Sequence, residues 1–159
     1  MDNKIIHYPA FDRRLLPKNK KVVLVGGCFD IFHYGHLTFL KKARSAGDYL
    51  IIALESDEST KRKGRSLFHN QKQRAELLAG LEIVDLVLLL PDWQNNSDYF
   101  NLVKKIQPQV IAVSDNDPKY ELKKEQANLV KAEIKVVTPL LIDYSSSKIK
   151  EQYESFSRD

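Results

Sequence analysis

The stretch that most constrains this chain is Gly26 to Lys42, G-G-C-F-D-I-F-H-Y-G-H-L-T-F-L-K-K, which follows the apolar run Val22 to Val25 and opens a helical pattern. A parallel strand that turns into a helix leaves the first N–H groups of that helix without internal partners. The aligned peptide dipoles add roughly half a positive charge there, so this end holds a phosphate on backbone donors. Gly26 and Gly27 let a ligand approach the main chain closely, and Gly35 leaves the helix entrance uncrowded. His33 and His36 are three apart and face the same few ångströms above the N-terminus, each able to donate an N–H to a phosphate oxygen. Either histidine alone reads more readily as a surface or core residue. The pair, with the strand and the glycines, points to a phosphate site. Cys28 has no base or second cysteine beside it and reads as a small buried residue rather than a nucleophile.

The remaining chain alternates apolar runs with helical patterns. Strands are expected at Lys21 to Val25, Tyr49 to Leu54, Val84 to Leu90, Gln109 to Val113 and Ile134 to Val137, with helices between them. Continuous apolar runs mark strands covered on both faces. The expected fold is therefore α/β, a doubly wound five-stranded parallel sheet in a single domain over 21–159, preceded by an arm over 1–20 that carries Pro9 and Pro17. Gly47 is expected to end the first helix, and Asn70 with Gln73 to cap a later one along one face of which lie Arg74, Leu77, Leu78 and Leu81. Ligands of such sheets lie where strand order reverses, beyond the carboxyl ends of the strands, and the histidines belong to that edge.

Other candidates lie beyond strand ends. Glu55 to Leu67 is read as a basic loop holding Lys61, Arg62, Lys63 and Arg65, which suits a second phosphate or is simply a solvated face. Trp93 stacks on a substrate or roofs the core. Asp115 and Asn116 are placed to meet a ribose or an amine, while Asp117 caps a helix begun by Pro118. Ser145, Ser146 and Ser147 precede another helical pattern and either cap it or form a second anion cradle, to which Lys148 adds charge.

Composition narrows the class. One cysteine excludes a disulfide framework and a cysteine-based zinc site, and fits a reducing, cytoplasmic location. No apolar run approaches the ~20 residues of a membrane span. A net charge of +4, with both signs interspersed, argues for a small anionic ligand rather than nucleic acid.

The motif resembles the signature of the cytidylyltransferase-like nucleotidyltransferases, which include glycerol-3-phosphate cytidylyltransferase, the adenylyltransferase domain of ADP-heptose synthase, choline- and ethanolamine-phosphate cytidylyltransferases and archaeal FAD synthase. The similarity runs from about Lys21 to Lys150, through Ala43 to Asp48 (A-x-x-x-G-D), Ser56-Asp57-Glu58 and Ser145 to Ile149. It implies a Rossmann-like domain of the H-x-G-H type that transfers CMP or AMP from CTP or ATP to a phosphorylated alcohol or sugar, releasing pyrophosphate, with Mg2+ carried by the nucleotide and no protein-held metal. It also implies a homodimer. By resemblance His33, His36 and Lys63 are catalytic. Gly27, Cys28, Phe29, Asp30, Gly35, Asp115, Ser145, Ser146 and Ser147 meet the nucleotide, and Asp57, Arg65, Arg74 and Trp93 meet the acceptor. The family's R-T-E-G-I is here Leu140 to Tyr144, and its G-D-D is Ser114-Asp115-Asn116, which leaves base and acceptor open. The rivals are an aminoacyl-tRNA synthetase relative, an FAD-synthase-like adenylyltransferase, and a catalytically silent nucleotide-binding module.

Overall fold

The computed structural model describes residues 4–115, 117–138 and 146–156, apart from the side chains of Ser146 and Phe156. Six parallel strands form one sheet: β1 (Ile5–His7), β2 (Val22–Gly27), β3 (Tyr49–Leu54), β4 (Leu86–Leu89), β5 (Val110–Ser114) and β6 (Glu133–Thr138), in the order β1-β4-β3-β2-β5-β6. The helices are α1 (Tyr34–Arg44), α2 (Asp57–Arg62), α3 (Gln71–Ala79), α4 (Asn96–Ile106), α5 (Tyr120–Leu129) and α6 (Ser146–Phe156).

Strand alternation divides the core between the two faces of the sheet. Val23 and Val25 pack with Leu40 of α1 and Leu78 of α3, whereas Val22 and Leu24 pack with Leu102 and Val103 of α4 and Ala127 of α5. Burial on both faces is what a parallel strand requires, and it explains the unbroken apolar runs.

Among the described residues the sheet has six strands, where the sequence reading has five. Ile5–His7 pairs with Val87 to Leu89 at the edge, and Phe11 and Leu16 behind it are buried. Three residues are too few to display a period, so a strand made by tertiary pairing left no local signal. Part of the expected basic loop is helical, as α2. Ser56 accepts from the Ser59 N–H, with Asp57 and Glu58 in the first turn and Lys61 and Arg62 in the last. That is the distribution the helix dipole favours. Gly47 does not cap α1, whose C-cap is Ser45; a Cβ at Gly47 would lie 2.5 Å from the Lys21 carbonyl oxygen, so it allows a close approach instead. The capping box of Asn70 and Gln73 is present on α3.

From β2 the chain steps to β3 and β4 in one direction and later to β5 and β6 in the other. Strand order therefore reverses at β2. Pairing between β2 and β5 covers Val23–Val110 and Leu24–Ile111 and stops short of Gly27, which opens a crevice at the carboxyl edge.

Candidate active site

The crevice is a cavity of about 590 Å3 lined by the β2–α1 turn, the loop after α2, the ends of β5 and β6 and the start of α6. His33 is the N-cap of α1, and its Nδ1 accepts the His36 backbone N–H at 3.4 Å. An imidazole that accepts at Nδ1 carries its proton on Nε2, so His33 retains one N–H for another partner. The two rings stack, with centroids 3.7 Å apart at 21°. Burial, then the adjacent His33 ring, outweighs the pull of Asp30 and brings His36 down to about 3; burial also lowers His33. Both rings are neutral at pH 7, so each can offer one N–H but no positive charge. His36 Nδ1 is buried without a hydrogen-bond partner among the described residues.

The turn that delivers this pair is strained. Phe29 and Ile31 sit at φ of 52° and 48°, a left-handed region costly for a β-branched residue and found chiefly where function demands it. Phe29 is buried against the His36 ring at 5.2 Å, and a Cβ on Gly27 would meet the Phe29 ring at 2.9 Å. The second glycine is therefore required by the aromatic that braces the histidine.

Asp30 is buried and fastens the far wall of the cavity. Its carboxylate accepts the Phe68 and His69 N–H groups, each at 3.0 Å, and Lys150 Nζ at 3.2 Å; Lys150 also donates to the Ser66 carbonyl. Burial opposes its ionisation, but these donors outweigh burial and hold it below the ordinary carboxylate value.

Of the sequence candidates, Gly27, Cys28, Phe29, Asp30, His33, Gly35, His36, Arg65 and Ser147 line the cavity together. Others do not reach it. Lys63 is taken up by Glu55, with Nζ 2.6 Å from both carboxylate oxygens. Arg74 is fully buried and donates to the carbonyls of Cys28 and Glu55 and, at 2.7 Å, to Asp57. Arg74 and Asp57 thus pin the loops behind the site. Trp93 stands half-buried between Tyr8 and Tyr99, edge-on at 4.8 and 5.2 Å, against the α4 side of the core. It roofs the core. Asp115 donates its N–H to the Thr138 carbonyl at 2.8 Å and lies outside the cavity lining. Ser145 and the Ser146 side chain fall outside the described residues.

The sequence reading missed Thr60, Ser66, Thr138, Lys123 and Lys150, all of which line the cavity, and gave Asp117 only a capping role. Asp117 does not cap α5, which begins at Tyr120 with Lys119 as its N-cap and no side-chain cap; it accepts the Lys119 N–H at 2.8 Å in the preceding turn and pairs with Lys123 at 2.7 Å at the cavity wall. Lys123 carried a signal in the helical period of α5; Lys150 carried none, because its partners are remote in sequence.

A stacked pair of neutral imidazoles at a helix N-terminus, at the reversal point of a doubly wound sheet, is the arrangement expected of a Rossmann-like nucleotidyltransferase domain. The family model described as cytidylyltransferase-like matches residues 24–152, and the chain belongs to that family. It is similar to the bifunctional protein HldE of Aliarcobacter butzleri, 45% identical over 94 residues, covering 58% of this chain and 19% of that protein. The FAD synthase of Thermococcus sibiricus is 37% identical over 121 residues, covering 71% of this chain and 80% of that enzyme. The lipopolysaccharide core biosynthesis protein of Thermoplasma volcanium has the same fold, with a TM-score of 0.62 at 24% identity over 76% of this chain and 96% of that one. The chain thus spans about a fifth of HldE and most of FAD synthase.

Enzymes of this class typically take a nucleoside triphosphate with a divalent cation. Among the described residues no three His, Cys, Asp or Glu side chains converge to hold one, and Asp30 and Asp117, the carboxylates at the cavity, are both engaged. No helix among the described residues is long and apolar enough to cross a membrane.

Proposed function

We propose that the protein transfers a nucleotidyl group, CMP or AMP, from a nucleoside triphosphate to a phosphorylated alcohol or sugar. An oxygen of the acceptor phosphate attacks the α-phosphorus in line. The bond to the β-phosphate oxygen breaks, and its electron pair leaves with pyrophosphate. The nucleophile is already an anion at pH 7, so no general base is needed. Negative charge grows on the α-phosphate and the leaving group, and preorganised donors in a desolvated site oppose that charge most effectively. The observation that carries this reading is the stacked His33–His36 pair above the α1 N-terminus. Arg65, Ser147 and Lys123 stand around the same cavity. Mg2+ on the triphosphate would supply charge neutralisation there.

Of the two nucleotidyl groups AMP is better supported, because FAD is itself an adenine dinucleotide and its synthase is among the relatives. An FAD-synthase-like activity on FMN is the second reading, favoured by the large share of that enzyme the chain spans. Pyrophosphate release from ATP and CTP, each paired with glycerol 3-phosphate, heptose 1-phosphate, phosphocholine, phosphoethanolamine and FMN, tests both. Release with one pairing names the reaction. Nucleotide binding with no release from any pairing would leave a silent module.

A further inference from the structure

The carboxyl edge of the sheet carries a second cavity, of about 90 Å3, on the opposite face from α1. Leu102 and Val103 of α4, Ile111 of β5 and Leu122 of α5 give it apolar walls, and Glu55, Lys119 and Lys123 supply charge. Gly26 and Gly27 line both cavities, so no β2 side chain stands between them, and Lys123 also borders both.

Charge is unbalanced around this second cavity. Glu55 is taken by Lys63, and Asp117 by Lys123. Lys119 has its Nζ 5.4 Å above the Tyr99 ring and no carboxylate within ion-pair distance among the described residues. Three lysines share two carboxylates. Lys119 is half-buried, and that burial, followed by the charge of Lys63, holds its ammonium below the ordinary lysine range, only partly offset by Glu55. A crowded, partly desolvated ammonium gains from an arriving anion more than a solvated one does.

We infer that this second cavity holds the acceptor of the proposed transfer, a phosphate monoester whose phosphate lies at Lys119 beside Lys63 and whose carbon skeleton follows the apolar wall. Lys119 then selects phosphorylated over unphosphorylated acceptors. The shared glycine wall is where a bound phosphate oxygen reaches a nucleotide in the larger cavity, as an attack distance of about 3–3.5 Å requires.

The inference rests on the nucleotidyl-transfer reading, and the test separates the two. With the pairing that releases pyrophosphate, Lys119→Met should raise the KM for the phosphorylated acceptor on the order of tenfold to a hundredfold, the loss expected for one charged hydrogen bond. The KM for the triphosphate should stay within about twofold, and Lys119→Arg should restore part of the acceptor affinity. In a parallel titration with inorganic phosphate, followed by NMR of 13Cε-labelled lysine, the Lys119 signal should move, and the Lys63 shift should need more phosphate in Lys119→Met. An unchanged acceptor KM, or a rise in the triphosphate KM instead, would overturn the inference while leaving the reaction standing. No turnover with any pairing would sink the reaction reading itself; a phosphate titration that leaves Lys119 unmoved would then remove the anion site as well.

Discussion

The His33 ring lies 3.7 Å from the His36 ring and accepts the His36 backbone N–H, so the first histidine both caps the helix and fixes the second. The donors are positioned before any ligand arrives. Replacing His36 by alanine should lower turnover about a hundred- to a thousandfold, the usual cost of one preorganised donor. Pyrophosphate release measures the loss, and an unchanged far-ultraviolet circular dichroism spectrum shows that the fold survives. Turnover near the wild-type rate would remove the histidines from the mechanism.

The same burial makes stability depend on pH. His36 titrates near 6.5 in the unfolded chain but only at about 3 when folded, so between these values the unfolded state binds more protons. Its contribution is complete above pH 6.5 and is lost as pH falls towards 3. Asp30 adds a loss of the same sign only below its ordinary value of 3.8. The Tm should therefore fall between pH 7 and pH 4, and His36→Gln should flatten that slope. Parallel profiles for the two proteins would contradict the assignment.

Arg74 predicts a loss of stability rather than of affinity. It is fully buried and makes a 2.7 Å contact with Asp57. Arg74→Met would leave the Cys28 and Glu55 carbonyls and the partly exposed Asp57 carboxylate without this donor, at about 1–3 kcal/mol for each buried acceptor left unsatisfied, so it should shift the urea midpoint strongly. At permissive temperature its acceptor KM should stay close to wild type. A large KM change with an unmoved midpoint would instead place Arg74 on the substrate.

The glycines separate by what surrounds them. At Gly47 the obstacle to a Cβ is the Lys21 carbonyl at 2.5 Å, whereas at Gly26 the nearest atom is 3.9 Å away. Gly47→Ala should cost about 1–3 kcal/mol as an overpacking change, and Gly26→Ala should leave stability nearly unaltered. Equal denaturation midpoints for the two variants would show that the β2 entrance yields more easily than its backbone contact implies.

How much of this was legible in the sequence follows from how local each cause is. The β2–α1 turn, the Asn70–Gln73 capping box and the both-faces-buried strands are written in neighbouring residues, and the structure has them. The contacts that Arg74, Lys63 and Trp93 make were not legible, because their partners, Cys28, Glu55 and Tyr8, come from other elements. A related case is Leu77, which is exposed while the smaller Ala75 on the same helix faces the core. Size and hydrophobicity alone did not decide which side of a helix turned inward. The α2 helix is a different case, since its caps and charge order were readable in residues 56–62.

The Asp30 carboxylate reaches Lys150, 120 positions along the chain, as well as the loop at Phe68 and His69. A wall fastened across such a span cannot close until α6 is available, and contacts this remote in sequence form late. A chain synthesised only as far as β6 can therefore assemble most of its sheet while this wall of the cavity still stands open.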